Sequence, residues 1–141
     1  APGYKVETRK KLPVTLFQSD NEREFDVLIS TNVAGCVVRV AISCKNEKEK
    51  VGTQTVSDFV DALGLVGIPT RQGIIVSVAG FTKDALESAA ARNIRCLIFA
   101  GLTEDRLDQA INEALQSTVY LFLDHSVISL LMKTSVRKWV A

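Results

Sequence analysis

The sequence predicts an α/β sandwich built on a mixed central β-sheet, with helices on its flanks. Three observations carry that reading. Strand-like segments follow one another closely between Tyr4 and Lys45, with a turn between the second and third. Further along, two apolar runs, GIIVSVA (73–79) and CLIFA (96–100), flank a segment of helical periodicity. Strands that are apolar throughout and joined by a helix are the pattern of a right-handed βαβ unit with parallel strands. Amphipathic helical stretches between and after these groups supply the covering layers.

The elements follow in order. Residues 4–9 alternate Tyr4, Val6 and Thr8 against Lys5, Glu7 and Arg9, the period of a half-exposed strand. Residues 10–24 are polar and carry Pro13, which suggests a turn or hairpin connection. FDVLIS (25–30) reads as a short strand, 32–35 as a turn, and 36–45 as a longer strand rich in β-branched residues; together they form an antiparallel meander. Thr55 is the expected N-cap of a helix with Val56, Phe59, Val60 and Leu63 inward and Gly64 as its stop. Thr82 caps the helix of the βαβ unit, with Ala85, Leu86, Ala89 and Ala90 inward, after Phe81 as an apolar staple. Thr103 caps a third helix bearing Leu107, Ala110, Ile111, Ala114 and Leu115. VYLFL (119–123) suggests a last strand, and 126–140 a terminal helix with Val127, Leu130, Leu131 and Trp139.

At 141 residues and 47% hydrophobic content the chain can bury one core, so a single domain over residues 1–141 is expected. The net charge of +1 provides no global basic field, and any nucleic acid would have to be attracted by a local cluster. Cys36, Cys44 and Cys96 show no CxxC or Cys/His spacing; they read as reduced thiols of an intracellular protein. No apolar run approaches the roughly 20 residues of a membrane span, and the expected location is the cytoplasm. The glycines at 73, 80 and 101 make neither GxGxxG nor a P-loop. His125, between Asp124 and Ser126, lacks a nucleophile turn and reads as a cap or surface residue.

Chemistry is concentrated around VAISCKNEKEKVG (40–52). In the strand before it, Asp26 is an acid among apolar residues. Along 36–45 the faces alternate, so Ser43 and Lys45 share one and Cys44 takes the other. In a meander whose register allows it, Asp26 and Lys45 meet near one end of the sheet. Such a pair reads either as an edge-of-sheet ion pair or as a metal-binding carboxylate with a cationic helper for phosphodiester hydrolysis.

The succession FDVLI, VAISCKNEKEKVG, VSDFVDAL and GIIVSVAGFTKDALESAAARNI resembles the PD-(D/E)xK superfamily of restriction-endonuclease-like nucleases, and within it the Mrr-like type IV restriction endonucleases. The resemblance covers roughly residues 4–99. It implies a restriction-endonuclease-like sandwich, Mg²⁺- or Mn²⁺-dependent hydrolysis of DNA, and DNA as partner. Asp26 stands where the family's metal-binding aspartate stands and Lys45 where its catalytic lysine stands; the backbone carbonyl of Cys44 would be a further metal ligand.

Two departures stand beside this. Ser43 occupies the position of the family's second acid, and a hydroxyl is a poorer ligand for a hard dication than a carboxylate. Asp58 or Glu47, and after them Asp61 or Glu49, are the candidate replacements; without one, the chain would be a degenerate nuclease-fold module serving DNA binding or protein interaction. The chain also opens APGYKVE, almost directly at a strand, where the family has an acidic helix; this suggests a piece of a larger protein, with further domains or a homodimer as partners. Arg39, Lys48, Lys50, Arg71 and Lys83 are the candidate rim of phosphate contacts.

Overall fold

The computed structural model describes residues 4–15, 20–100 and 102–122, with the backbone alone for residue 4 and residues 116–122. Five strands form one sheet in the order β1 (Tyr4–Pro13), β2 (Glu22–Val33), β3 (Cys36–Lys45), β4 (Gly73–Ser77) and β5 (Arg95–Ile98). The first three are antiparallel neighbours; β3, β4 and β5 run parallel. Helices α1 (Thr53–Val66) and α2 (Lys83–Ala91) are the crossovers after β3 and β4, and α3 (Glu104–Phe122) follows β5.

Period-two alternation in the central strands sorts the core into two layers. Ala41 and Ile75 face α1 and α2, packing with Val56, Phe59, Leu63, Ala85 and Ala89. Their chain neighbours Val40, Ile42, Ile74 and Val76 face the other way, against Ala110, Ile111, Ala114 and Leu115 of α3. Because the middle of β3 and most of β4 are covered on both sides, apolar residues follow one another without alternation at Val40, Ala41 and Ile42 and at Ile74, Ile75 and Val76. The mixed sheet with helices on both faces is the predicted sandwich.

Several expectations are corrected. The predicted strand at 119–123 is helical as far as Phe122, continuing α3; no Gly or Pro lies between Leu115 and Val119 to stop a helix already begun. The predicted turn or hairpin connection at 10–24 is shorter than expected: 10–13 and 22–24 are strand, since β1 and β2 pair as far as Pro13 opposite Glu22. The N-cap of α1 is Gly52 and not Thr55. Nor does Gly64 end that helix: Gly67, at φ +77°, does, with its own N–H and that of Ile68 donating to the carbonyls of Gly64 and Leu63. Thr82 and Thr103 do cap, their hydroxyls accepting from the Ala85 and Arg106 N–H groups at 3.1 and 3.2 Å. The expected helix 126–140 and His125 lie outside the described residues.

Candidate active site

The site forms where the sheet's two halves part. The β2–β3 ladder runs from Val33 opposite Cys36 to Val27 opposite Ile42 and stops. On its other side β3 stays paired with β4 as far as Lys45 opposite Ser77. The last three residues of β3 therefore have one strand neighbour and one open edge.

Asp26 fills the start of that gap. Its Oδ2 accepts the Cys44 N–H at 2.7 Å, standing in for the carbonyl a continuing β2 would have supplied. Successive peptides of a strand point to opposite edges, and the Lys45 carbonyl accordingly turns toward β4, where it accepts the Val78 N–H at 3.0 Å. The Cys44 carbonyl is thereby directed to the same open edge as its N–H. Ser43 and Lys45 project on the α1 side, and a cleft of about 200 Å³ is lined by Glu24, Phe25, Asp26, Ile42, Ser43, Lys45, Thr55, Asp58, Phe59 and Ala62.

Asp58 enters this cleft from the second turn of α1. Its Oδ1 accepts from the Gln54 amide at 2.8 Å, an i,i+4 contact along one helix face, which leaves Oδ2 for another partner. Burial, and after it the negative charge of Asp26, pushes the Cys44 thiol above the ordinary thiol range. Among the described residues no three of His, Cys, Asp and Glu stand close enough together to hold a metal ion. The cleft offers the carboxylates of Glu24, Asp26 and Asp58 and the hydroxyls of Ser43 and Thr55, with the Cys44 carbonyl at its open edge. That set fits Mg²⁺, which keeps several waters and takes only one or two protein carboxylates plus substrate phosphate.

The structure thus brings together Asp26, Ser43, Lys45, the Cys44 backbone and Asp58. It leaves Glu47, Glu49 and Asp61 exposed and outside the cleft lining. Lys48 and Lys50, in the turn after β3, and Lys83, in the first turn of α2, lie at the same end of the sheet: Val51 bridges to Phe81, joining the two loops. Arg39 and Arg71 do not join them. Arg39 precedes Lys45 by six strand residues, about 20 Å, and Arg71 precedes β4, its carbonyl accepting from the Arg95 guanidinium at 2.8 Å; both lie toward the sheet's opposite end. Glu24, Thr55 and Gln54 were missed by sequence reasoning. Glu24 could have been found two residues before Asp26, whereas Gln54 becomes visible only once Asp58 is placed.

A mixed sheet with a carboxylate, a lysine and an open strand edge at one end, sandwiched by helices, defines a restriction-endonuclease-like domain. The family model described as restriction endonuclease (Mrr_cat) matches residues 2–104, and the chain belongs to that family. Among solved structures, the crystal structure of a protein of unknown function, AF1548, is similar with a TM-score of 0.56 at 19% identity, covering 95% of this chain and 71% of that one; the likeness concerns the fold. No curated protein matches. No helix among the described residues is long and apolar enough to cross a membrane.

Proposed function

We propose that the chain binds DNA and hydrolyses its phosphodiester bonds with the help of a divalent cation, Mg²⁺ or Mn²⁺, held by Asp26, the Cys44 carbonyl and Asp58. The observation that carries the reading is the convergence of Asp26, Lys45 and Asp58 on one cleft at the open end of β3. Asp58 supplies from α1 the carboxylate that Ser43 does not supply from β3. A bound dication contributes Lewis acidity toward the phosphate and a water of lowered pKa. The Lys45 ammonium balances negative charge developing on the phosphoryl oxygens, and the Ser43 hydroxyl donates to the same group.

The second reading, a degenerate module that binds without cutting, is favoured by Ser43 and by the absence of a three-ligand cluster among the described residues. Cleavage of linear and supercoiled DNA with Mg²⁺ or Mn²⁺ separates the two. The parent should cut, and Lys45→Ala, Asp26→Ala and Asp58→Asn should each lower the rate by about 10²-fold or more while leaving the unfolding midpoint near the parent's. Cation-dependent cutting that survives Asp26→Ala and Lys45→Ala would sink the mechanism. A parent that binds DNA and never cuts establishes the degenerate module.

A further inference from the structure

We infer that Arg9 is a phosphate-binding residue of this cleft, taking a backbone phosphate beside the phosphodiester held at Asp26 and Lys45; the inference rests on the nucleic-acid reading above. The β1–β2 register places it. Thr8 stands opposite Val27 and Lys10 opposite Phe25, so Arg9 falls opposite Asp26, one strand spacing of about 5 Å away.

The backbone marks the same position. Arg9 has φ +50° in mid-strand, a region in which a side chain is crowded against its own backbone. The Arg9–Asp26 pair is missing from an otherwise continuous ladder. Beyond the break Phe25 no longer shares a layer with Val27; it packs in the α1 layer with Leu28. Asp26, between them, is left exposed at the gap. Strained residues of this kind persist where their surroundings hold them, and they gather at ligand-binding sites.

Charge is the third observation. Lysines on an edge strand serve ordinarily to keep that edge from pairing with another chain. Lys5 and Lys10 fit that role and share Glu7, at 3.6 and 3.2 Å. Arg9 is exposed and makes no ion pair or side-chain hydrogen bond among the described residues. Its guanidinium can take a phosphate through two parallel hydrogen bonds. With Lys48, Lys50 and Lys83 on the β4 side, the cleft then has a basic margin on each flank, as a bound strand passing over Asp26 and Lys45 would require.

The test is equilibrium binding of the chain to a short mixed-sequence DNA duplex, without divalent cation, over a salt series. Parent, Arg9→Gly, Arg9→Lys and Arg92→Gln are compared, the last removing an exposed charge at the far end of α2. Glycine accepts the positive φ, so Arg9→Gly should unfold no earlier than the parent. Expected is weaker binding by Arg9→Gly, with the slope of log K against log salt smaller by about 1. Arg9→Lys should recover most of the slope, and Arg92→Gln should leave slope and affinity unchanged. Equal affinity and slope for parent and Arg9→Gly overturns the role of Arg9 and leaves the nuclease reading standing. Equal losses in Arg9→Gly and Arg92→Gln also overturn it, as a response to net charge. A parent that binds no duplex overturns the DNA reading and this inference with it.

Discussion

Cys44 and Cys96 show how the two-layer fold treats single side chains. Burial raises the Cys96 thiol from the usual value near 9 to about 11; the Cys44 thiol is raised too, by burial and by its carboxylate neighbour. A thiol whose pKa is raised by folding stays protonated in the native state at a pH where the unfolded chain already ionises. The stability linked to Cys96 is therefore whole below pH 9 and is lost as the pH climbs toward about 11. Denaturant midpoints measured from pH 8 to 11 should fall more steeply for the parent than for Cys96→Ala, even though the variant starts lower through lost packing. Parallel curves would mean that desolvation of this thiol has no part in alkaline unfolding. At this scale the sequence was informative where period two applies. Ser43 and Lys45 had to share a face once 36–45 was a strand, whereas the meeting of Asp26 with them depended on a strand register that the sequence left open. Asp58 was one of four candidates because choosing among them needs the crossing of α1 over the strand ends. Arg39 and Arg71 were grouped with the turn lysines because charge in a sequence carries no position along a strand.

Among the elements, β4 is the most tightly constrained. Gly73 begins it directly beneath α1, and a Cβ there would sit 2.7 Å from Leu63 Cδ1 and 2.9 Å from both Phe59 and Ile94 side-chain carbons. Leu63 is fully buried and Phe59 and Ile94 nearly so, so a Cβ at Gly73 has to push aside side-chain ends that are already packed. Gly73→Ala should therefore destabilise by about 1–3 kcal/mol through overpacking, read as a lower thermal midpoint. An unchanged midpoint would show that α1 rides far enough from the sheet to admit a methyl group. The far end of β4 is held differently: the buried Ser77 hydroxyl donates to the Gly80 carbonyl at 2.9 Å and accepts the Gly80 N–H at 3.0 Å, closing the turn into α2. The strand itself was legible as GIIVSVA, two residues longer than the one that forms; the reason for its glycine was not, since that depends on a helix ten residues earlier. Both ends of α1 were placed inside the observed helix for a related reason. Local signals such as Thr55 and Gly64 propose a boundary, but a helix continues past them when its next residues, here Val66, are buried.

On the scale of the whole molecule, the cleft exists because two pairing modes meet in one sheet. The antiparallel meander ends at Val27–Ile42 while the parallel half continues to Lys45–Ser77, and the open edge between them is where Asp26 replaces a strand. Order in the chain, a meander followed by crossovers, was enough to read this architecture, but not the residue at which β2 leaves β3. Amide hydrogen exchange can test whether that junction is part of the cooperative core. The slowest amides should lie in β3 and β4, where Val40, Ala41, Ile74 and Ile75 are fully buried between layers, and β1, at the sheet's edge, should exchange faster. The Cys44 amide is the informative one, because outside the ladder only the Asp26 carboxylate holds it, at 2.7 Å. In Asp26→Ala its protection should drop toward that of exposed loop amides while those of Val40 and Ile74 keep the parent's values. A loss shared by all of β3 would mean that Asp26 holds the sheet together. Retained protection at Cys44 would mean that the β2–β3 ladder runs on past Ile42 and that the open edge on which the cleft depends is absent.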